Sequence, residues 1–509
     1  MPAPSDPEKY SIDEMVDRLK NRQAQDPDHE GELVTRSDGT QAIRVRKRKR
    51  RSHQPQKEEF KKNRRARMIQ VSGALILLLM AVFAAGSAIA YANSAPFRQK
   101  IIGHIAASSG ARVELEQFRM NPTRAIAGRL LLTWPDGNAL REFTARSAGA
   151  AISPSSFIGK SLTGEEATCT DGILTLGVPQ AGQPTRATPT GPGPLSVRFK
   201  RYAIPKLLVR IGDPAAPLVS LHDSEASFQT ANASGRAQLL LNRGNIRISG
   251  WPNIQMDRAH LEFRGKEMDV VGMRLLHDGD NRGVFELMGT VSPYAADRPS
   301  TLAVRMESFL LSGIAGPDLG RLISGRIDTL STVKSNYVSF TPGFVPAAKL
   351  DISFRNSLSS GFEVQGFPFL SNLARLMDND AWFERPVFDT DATAMLRRAD
   401  SAVVIEEINF EHKGRMALRG NLMLSPDHRL SGTLDVGIAE AMVKAAPNRR
   451  LDAMAGPLKE GFRWISLQIG GTAAAPTDNF LEILDATKLG VKPAPASKIP
   501  TFEDLTTPE

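Results

Sequence analysis

The sequence predicts a mainly β protein, a large antiparallel structure with few helices, preceded by one transmembrane helix. Three observations predict it: many short segments that alternate apolar and polar residues, one long uncharged run near the N-terminus, and a scarcity of helical periodicity after it. The alternation is plainest in "RMALRGNLMLSPDHRLSGTLDVGI", residues 415–438. Successive side chains of a strand face opposite sides. Met416, Leu418, Gly420, Leu422 and Leu424 therefore share one face, and Arg415, Ala417, Arg419, Asn421 and Met423 the other. After the turn "SPDH", Leu430, Gly432, Leu434, Val436 and Ile438 resume the apolar face against Arg429, Ser431, Thr433 and Asp435. The pattern is a hairpin with one apolar and one polar face.

The same texture recurs in "RVELEQFRM", "ILTLGV", "LSVRFKRYAI", "KLLVRIG", "AHLEFRGKEMDVVG", "GVFELMGTVS", "AKLDISFRN", "AVVIEEINFEH" and "WISLQIGGTAAAP". Gly, Pro, Asp and Asn break it, as turns require. Few helical segments interrupt these strands: "GPDLGRLISG", "FPFLSNLARLMDN" and "GIAEAMVKAAPNRRLDAMAGPL". Residues 179–194, "PQAGQPTRATPTGPGP", read as a flexible loop, and the Pro-rich end of the chain as an unstructured tail.

No residue between Met68 and Phe97 is charged, and the run "VSGALILLLMAVFAAGSAIAYA" suits a membrane, which takes roughly 20 residues to cross. Cations crowd its N-terminal side in "RVRKRKRR" and "KKNRRAR"; only Arg98 and Lys100 follow closely. The positive-inside rule then puts the N-terminus in the cytoplasm and the residues after about 93 outside. A cleaved signal peptide is the rival, with small residues at Ala90 and Ala92, but 67 residues precede the run and favour an uncleaved anchor. Past the membrane, "SAPFRQKIIGHIAASSG" reads as a helix with Phe97, Ile101, Ile102 and Ile105 on its apolar side and Gly110 at its end.

The net charge of +9 is uneven. Residues 1–67 hold 18 Lys+Arg against 12 Asp+Glu, whereas the remaining 442 hold 46 against 43. A nucleic-acid surface on the main body is therefore not expected. The single cysteine, Cys169, permits neither an intrachain disulfide nor a Cys-cluster metal site. Near the N-terminus, "SIDEMVDRLK" carries a capping box, Ser11 with Glu14, and Ile12, Met15, Val16 and Leu19 at helical spacing. These four are candidate partner-docking residues, against the plainer reading of a short helix without a role. The expected organisation is a cytoplasmic tail (1–67), a transmembrane helix (68–92), an N-terminal module (93–178), the loop (179–194), a β-rich domain (195–487) and a tail (488–509).

Candidate chemistry is thin. "PSSFIGKS", 154–161, ends like a phosphate-binding loop but has Pro154 where the motif needs Gly. "HDGDNRG", 277–283, clusters two acids as a calcium loop does, yet lies between strands and reads better as a tight turn. "DNDAWFERPVFDTD", 378–391, is the one place for an enzyme hypothesis, since paired carboxylates run glycoside hydrolysis. The eight histidines show no HExxH spacing, and no GxSxG elbow occurs. The chain is expected to be non-enzymatic, with no cofactor or metal.

One stretch follows the membrane run directly: "FRQKIIGHIAASSGARVELEQFRMNPTRAIAGRLLLTWPDGNALREFTARSAGAAISPSSFIGKSLTGEEATCTDGILTL". With Gly110, Gly128, Ala145 to Ala151 and Ile173 to Leu176, it resembles the amino-terminal module of AsmA-like proteins. The far end, "FEHKGRMALRGNLMLSPDHRLSGTLDVGI" and "ISLQIGGTAAAP", is similar to the family's terminal strands through Gly414, Gly420, Gly432 and the turn Gly470-Gly471-Thr472. The long basic tail departs from the family, whose members usually start close to the membrane. The resemblance, to AsmA-like, TamB-like and YhdP-like proteins, implies an elongated, folded-over sheet anchored in the inner membrane and reaching into the periplasm. It also implies an apolar groove that carries phospholipid acyl chains toward the outer membrane.

On the residues alone, the apolar face of each strand is either such a groove or the core of an ordinary sandwich. The groove candidates are Met416, Leu418, Leu422, Leu424, Leu430, Leu434, Val436 and Ile438. The expected partners are a phospholipid or other acyl lipid and the inner membrane. The alternative function is a membrane-tethered envelope scaffold binding a cytoplasmic or envelope protein.

Overall fold

The computed structural model describes residues 32–35, 37–44, 54–135, 138–153, 161–178, 196–231, 235–293, 295–331, 336–342, 348–358, 360–447 and 449–489. The chain divides into two compact units, Met1–Ala84 and Ala85–Glu509. In the first, the strands Glu32–Thr35 and Gln41–Arg44 form a hairpin that the reading of this region as a tail did not anticipate. The helix Gln54–Ala92 starts well before the apolar run. Its segment Gln70–Ala92 has a mean hydropathy of 2.3 and is long and apolar enough to cross a membrane. Leu75, Leu79 and Phe83 on it are 56%, 60% and 78% exposed.

The second unit is mainly β, and its pairing runs almost in chain order. Arg112–Glu116 and Arg119–Met120 lie beside Arg124–Thr133, which pairs with Leu140–Ala151. Next come Ser161–Thr168 and Asp171–Leu176, then Ser196–Gly212 and Pro217–Gln229. The ladder continues to Ile254–Arg264, Glu267–His277, Asp280–Val291 and Ser300–Glu307. From there it passes through Asn336–Phe340, Lys349–Asn356, Asp391–Ala399, Ala402–His412, Met416–Leu424, Leu430–Ala439 and Phe462–Gly471. Ring closures in this ladder are local, where two short strands in tandem fill one place beside longer neighbours. Among the described residues no pairing joins its first strand to its last.

The expectation of a wholly antiparallel sheet needs one correction. Ser196–Gly212 runs parallel to both Ser161–Thr168 and Asp171–Leu176. Parallel neighbours need a crossover of about a dozen residues or more, and the chain between Leu176 and Ser196 is long enough to supply it. The loop expected at 179–194 lies there, outside the described residues, as do most of "PSSFIGKS" and the C-terminal tail from 490.

The hairpin keeps the two faces its alternation predicts, with Leu418 opposite Val436, Leu422 opposite Gly432 and Gly420 opposite Leu434. Gly420 has φ +136°, and a Cβ there would lie 1.9 Å from the Thr433 carbonyl oxygen, so no larger residue fits. The expected open groove on this face is not what the structure contains. Met416, Leu418, Leu422, Leu424, Leu430, Leu434, Val436 and Ile438 are at most 5% exposed. They belong to one buried cluster with Phe354, Phe362, Leu373 and Phe480.

The correction has a volumetric cause. Helices that looked too few each bring large side chains: Pro368–Leu376 buries Phe369, Leu370 and Leu373, and Phe480–Leu489 adds Phe480 and Ile483. The rings of Phe354, Phe362, Phe410 and Phe388 form a chain with centroids 5.8, 4.9 and 6.0 Å apart. Such pairs contribute about 1 kcal/mol each beyond the area they bury.

Polar contacts fix the covering pieces. Asp478 accepts the backbone N–H of Phe369 at 2.6 Å, capping a helix 109 residues earlier in the chain, and that of Phe480 at 3.1 Å. The Arg398 guanidinium, 4% exposed, donates to the carbonyls of Ile314 (2.7 Å) and Gly250 and lies 5.0 Å over the Trp251 ring. Burial pushes its pKa down to about 10.

A charge placed in this core has no water to turn to. Leu422→Asp and Val436→Asp should each cost about 4 kcal/mol or more, enough to unfold a marginal domain. Thr433→Asp, on the half-buried opposite face, should stay within about 1 kcal/mol. Denaturant titration of the three variants checks this, and native-like stability at Leu422→Asp would reopen the groove at the hairpin.

Candidate functional site

The apolar cavity lies at the other end of the chain. The helix Ala95–Ser109 begins with Pro96 in its first turn and ends at Gly110, whose φ of +69° closes it as the sequence predicted. Trp134 donates its indole N–H to the Ser109 carbonyl at 2.8 Å, tying the helix end to the sheet. Beneath the helix lies a stripe of alanines. Register sets Ala125 opposite Ala150, Ala127 opposite Ala148, and Ala150 opposite Ala167. Side chains this small do not fill the space under the helix, and a cleft of about 450 Å³ remains. That volume is within the range of ligand pockets.

Larger side chains bound the cleft. Ile101 and Ile105 face it from the helix, Leu132 and Phe143 sit opposite each other in the sheet, and Tyr202 lies opposite Phe228. Among the described residues no charged side chain lines it. Its two titratable groups are held neutral. Burial, and secondarily Asp171, pushes the Cys169 thiol up to about 11. Burial likewise raises the Tyr202 phenol above its ordinary value.

A second, polar recess of about 620 Å³ adjoins it and shares Phe118 and Ile126 with it. Asn93, the residue after the apolar helix, lines this recess. Its carboxamide donates to the carbonyls of Ile89 and Met120 and accepts the Met120 N–H, all at 2.8 Å. The last turn of the helix is thereby bonded to the strand Arg119–Met120. Arg119 and Arg124 complete the recess, and Asn121 accepts the Arg124 N–H at 2.7 Å across the turn between them.

The other sites singled out in the sequence do not assemble. In "HDGDNRG", Asp280 accepts from Arg326 at 2.8 Å and Gly279 takes φ +75°, the geometry of a tight turn. In 378–391 two of the carboxylates are taken up separately: Asp380 caps Trp382 at 3.0 Å and lies 3.5 Å from Arg415, while Asp389 meets His412 at 3.0 Å. Among the described residues no group of three His, Cys, Asp or Glu is placed to hold a metal. Ile12, Met15, Val16, Leu19 and Lys160 lie outside the described residues. The alanine stripe stands in the sequence as "RAIAG" and "RSAGAA", stretches to which the sequence reading assigns no site. Its signal is small residues at alternate positions of paired strands.

The thiolate is the reactive form of cysteine, and at pH 8 a thiol with a pKa near 11 is roughly one-thousandth ionised. Alkylation of Cys169 in the folded protein should be about 100-fold slower than in urea at pH 8, and should rise about tenfold per pH unit until it levels off near pH 11. Mass-spectrometric labelling kinetics test this; equal rates in the two states would mean the cleft does not enclose the thiol.

The chain matches no family model, no curated protein and no solved structure.

Proposed function

We propose that the protein is a non-enzymatic, single-pass inner-membrane protein that binds phospholipid acyl chains in the alanine-floored cleft and serves phospholipid transport or outer-membrane biogenesis. The observation that carries this reading is a cleft without a charged side chain in the same module as the end of an apolar, membrane-length helix. Apolar surface of this kind favours hydrocarbon over water. The resemblance of the flanking sequence to AsmA-like proteins points the same way, although the groove occupies the N-terminal module and not the terminal hairpin. The cation excess before the helix favours a cytoplasmic N-terminus and a periplasmic main domain. A scaffold role has one observation in its favour: Val271 and Met288, 49% and 42% exposed, share a recess with Leu240 and Met273 in the middle of the sheet.

Full-length protein purified in mild detergent should retain phospholipid detectable by mass spectrometry. Ile105→Asp and Leu132→Asp put a carboxylate into the cleft at half-buried positions that water still reaches. They should lower retained lipid several-fold with little loss of thermal stability. A parent protein that carries no lipid overturns the reading. For topology, an alkaline phosphatase fusion after Gly110 should be active, and a mature N-terminus at Asn93 would show the helix to be a cleaved signal.

A further inference from the structure

The helix Ala95–Ser109 covers the cleft without belonging to the main core. Ile101, 2% exposed, and Ile105 face the cleft, and among the described residues only Phe97 of this helix packs into an apolar cluster. That cluster is small and separate from the main core, with Ala92, Met120, Ala125, Ile152 and Phe199 buried in it. A segment with few packed apolar side chains opens at a lower free energy than the rest of its domain.

The two ends of the helix are held differently. At the C-terminal end the chain reverses at Gly110, with φ +69°, and the Trp134 indole N–H holds the Ser109 carbonyl at 2.8 Å. At the other end the Asn93 carboxamide donates to the Met120 carbonyl and accepts the Met120 N–H, both at 2.8 Å, as a neighbouring strand would. Asn93 is exposed, so water takes up its carboxamide when these bonds break.

The bend just before the helix is braced. The rings of Tyr91 and Phe97 meet edge to face at 5.5 Å, and the Lys100 ammonium donates to the Tyr91 hydroxyl at 2.9 Å. The Ser94 N–H bonds the Tyr91 carbonyl at 3.0 Å. These contacts join the last turn of the apolar helix to the cover of the cleft, so that the two move as one body.

We propose that Ala95–Ser109 is a hinged lid, turning at Gly110 and latched by Asn93, and that displacement of the last turn of the apolar helix from the sheet opens the cleft. Hinges of this kind sit at element ends, where a few residues absorb the change in backbone angles. The small cluster under Ala92 and Phe97 is what the lid gives up on opening, and the main core is left intact. As a lid it does not depend on what the cleft holds; as an entry for acyl chains it rests on the reading above.

Cys169 lines the cleft and reports its opening. Full-length protein in mild detergent is treated with N-ethylmaleimide at pH 8 and labelling is followed by mass spectrometry. In Asn93→Ala it should be about fivefold faster than in the parent, the scale of one net hydrogen bond. Phe97→Ala removes the seat of the lid in the small cluster and should speed labelling by about tenfold or more. In both variants amide exchange of the main-core strand Leu430–Ala439 should match the parent. Parent labelling should change little in urea below the unfolding transition, because a local opening exposes little surface. Unchanged labelling in a folded Asn93→Ala overturns the lid, as does faster labelling in step with exchange at Leu430–Ala439. Deuterated phospholipid should replace retained phospholipid faster in Asn93→Ala by the same factor as labelling. Faster labelling with unchanged lipid replacement overturns the lid as an entry for acyl chains. No retained lipid overturns the acyl-chain reading alone, and the labelling rates then still decide the lid.

Discussion

An antiparallel sheet with one apolar face has to have that face covered, and the side-chain volume available for covering differs along this chain. From about residue 300 onward, phenylalanines from neighbouring strands and the helices Pro368–Leu376 and Phe480–Leu489 supply enough volume to close the core. In the module that follows the apolar helix one helix stands over a floor of alanines, and a cavity persists. The same strand pattern therefore gives a solid core at one end and a cleft at the other. The difference lies in residue size and not in topology.

The hairpin at 416–439 was legible as strands and faces, because a pairing slipped by one residue would put Leu418, Leu422, Leu434 and Val436 on the wrong side; among the registers that remain, the turn selects the one formed. Its surroundings were not legible. Alternation shows which side of a strand is apolar but carries no information on what arrives from elsewhere in the chain, here Phe480 and Leu373. The parallel placement of Ser196–Gly212 was hidden for a related reason, since strand direction is decided by a long connection whose sequence reads only as loop. The arginine recess escaped because Arg119, Arg124 and Asn93 become neighbours through one turn and one carboxamide, neither of which has a periodic signature.

Where apolar packing supplies the cover, single polar groups determine how the pieces are held. Asp478 does so for the helix Pro368–Leu376, and Arg398 joins the strand Asp391–Ala399 to Ile314 and Gly250. Asn93 does the same at the end of the apolar helix with three hydrogen bonds from one side chain. Each of the three has its partners on different elements; for the buried Arg398 and the half-buried Asp478, losing the side chain leaves unpaired groups on both.

The near-sequential ladder has a kinetic consequence. Almost every strand pairs with one made shortly before it, so loop closure is short at each step and the sheet can grow in the order in which the chain is made. The bond from Asp478 to Phe369 spans 109 residues and can form only at the end, when the terminal segment arrives. Until then every intermediate length presents a fresh row of unpaired N–H and C=O groups, a template for joining with another incomplete chain. A chain cut short anywhere in the ladder keeps that edge permanently, so truncation of this protein creates an aggregating species and not merely a smaller domain.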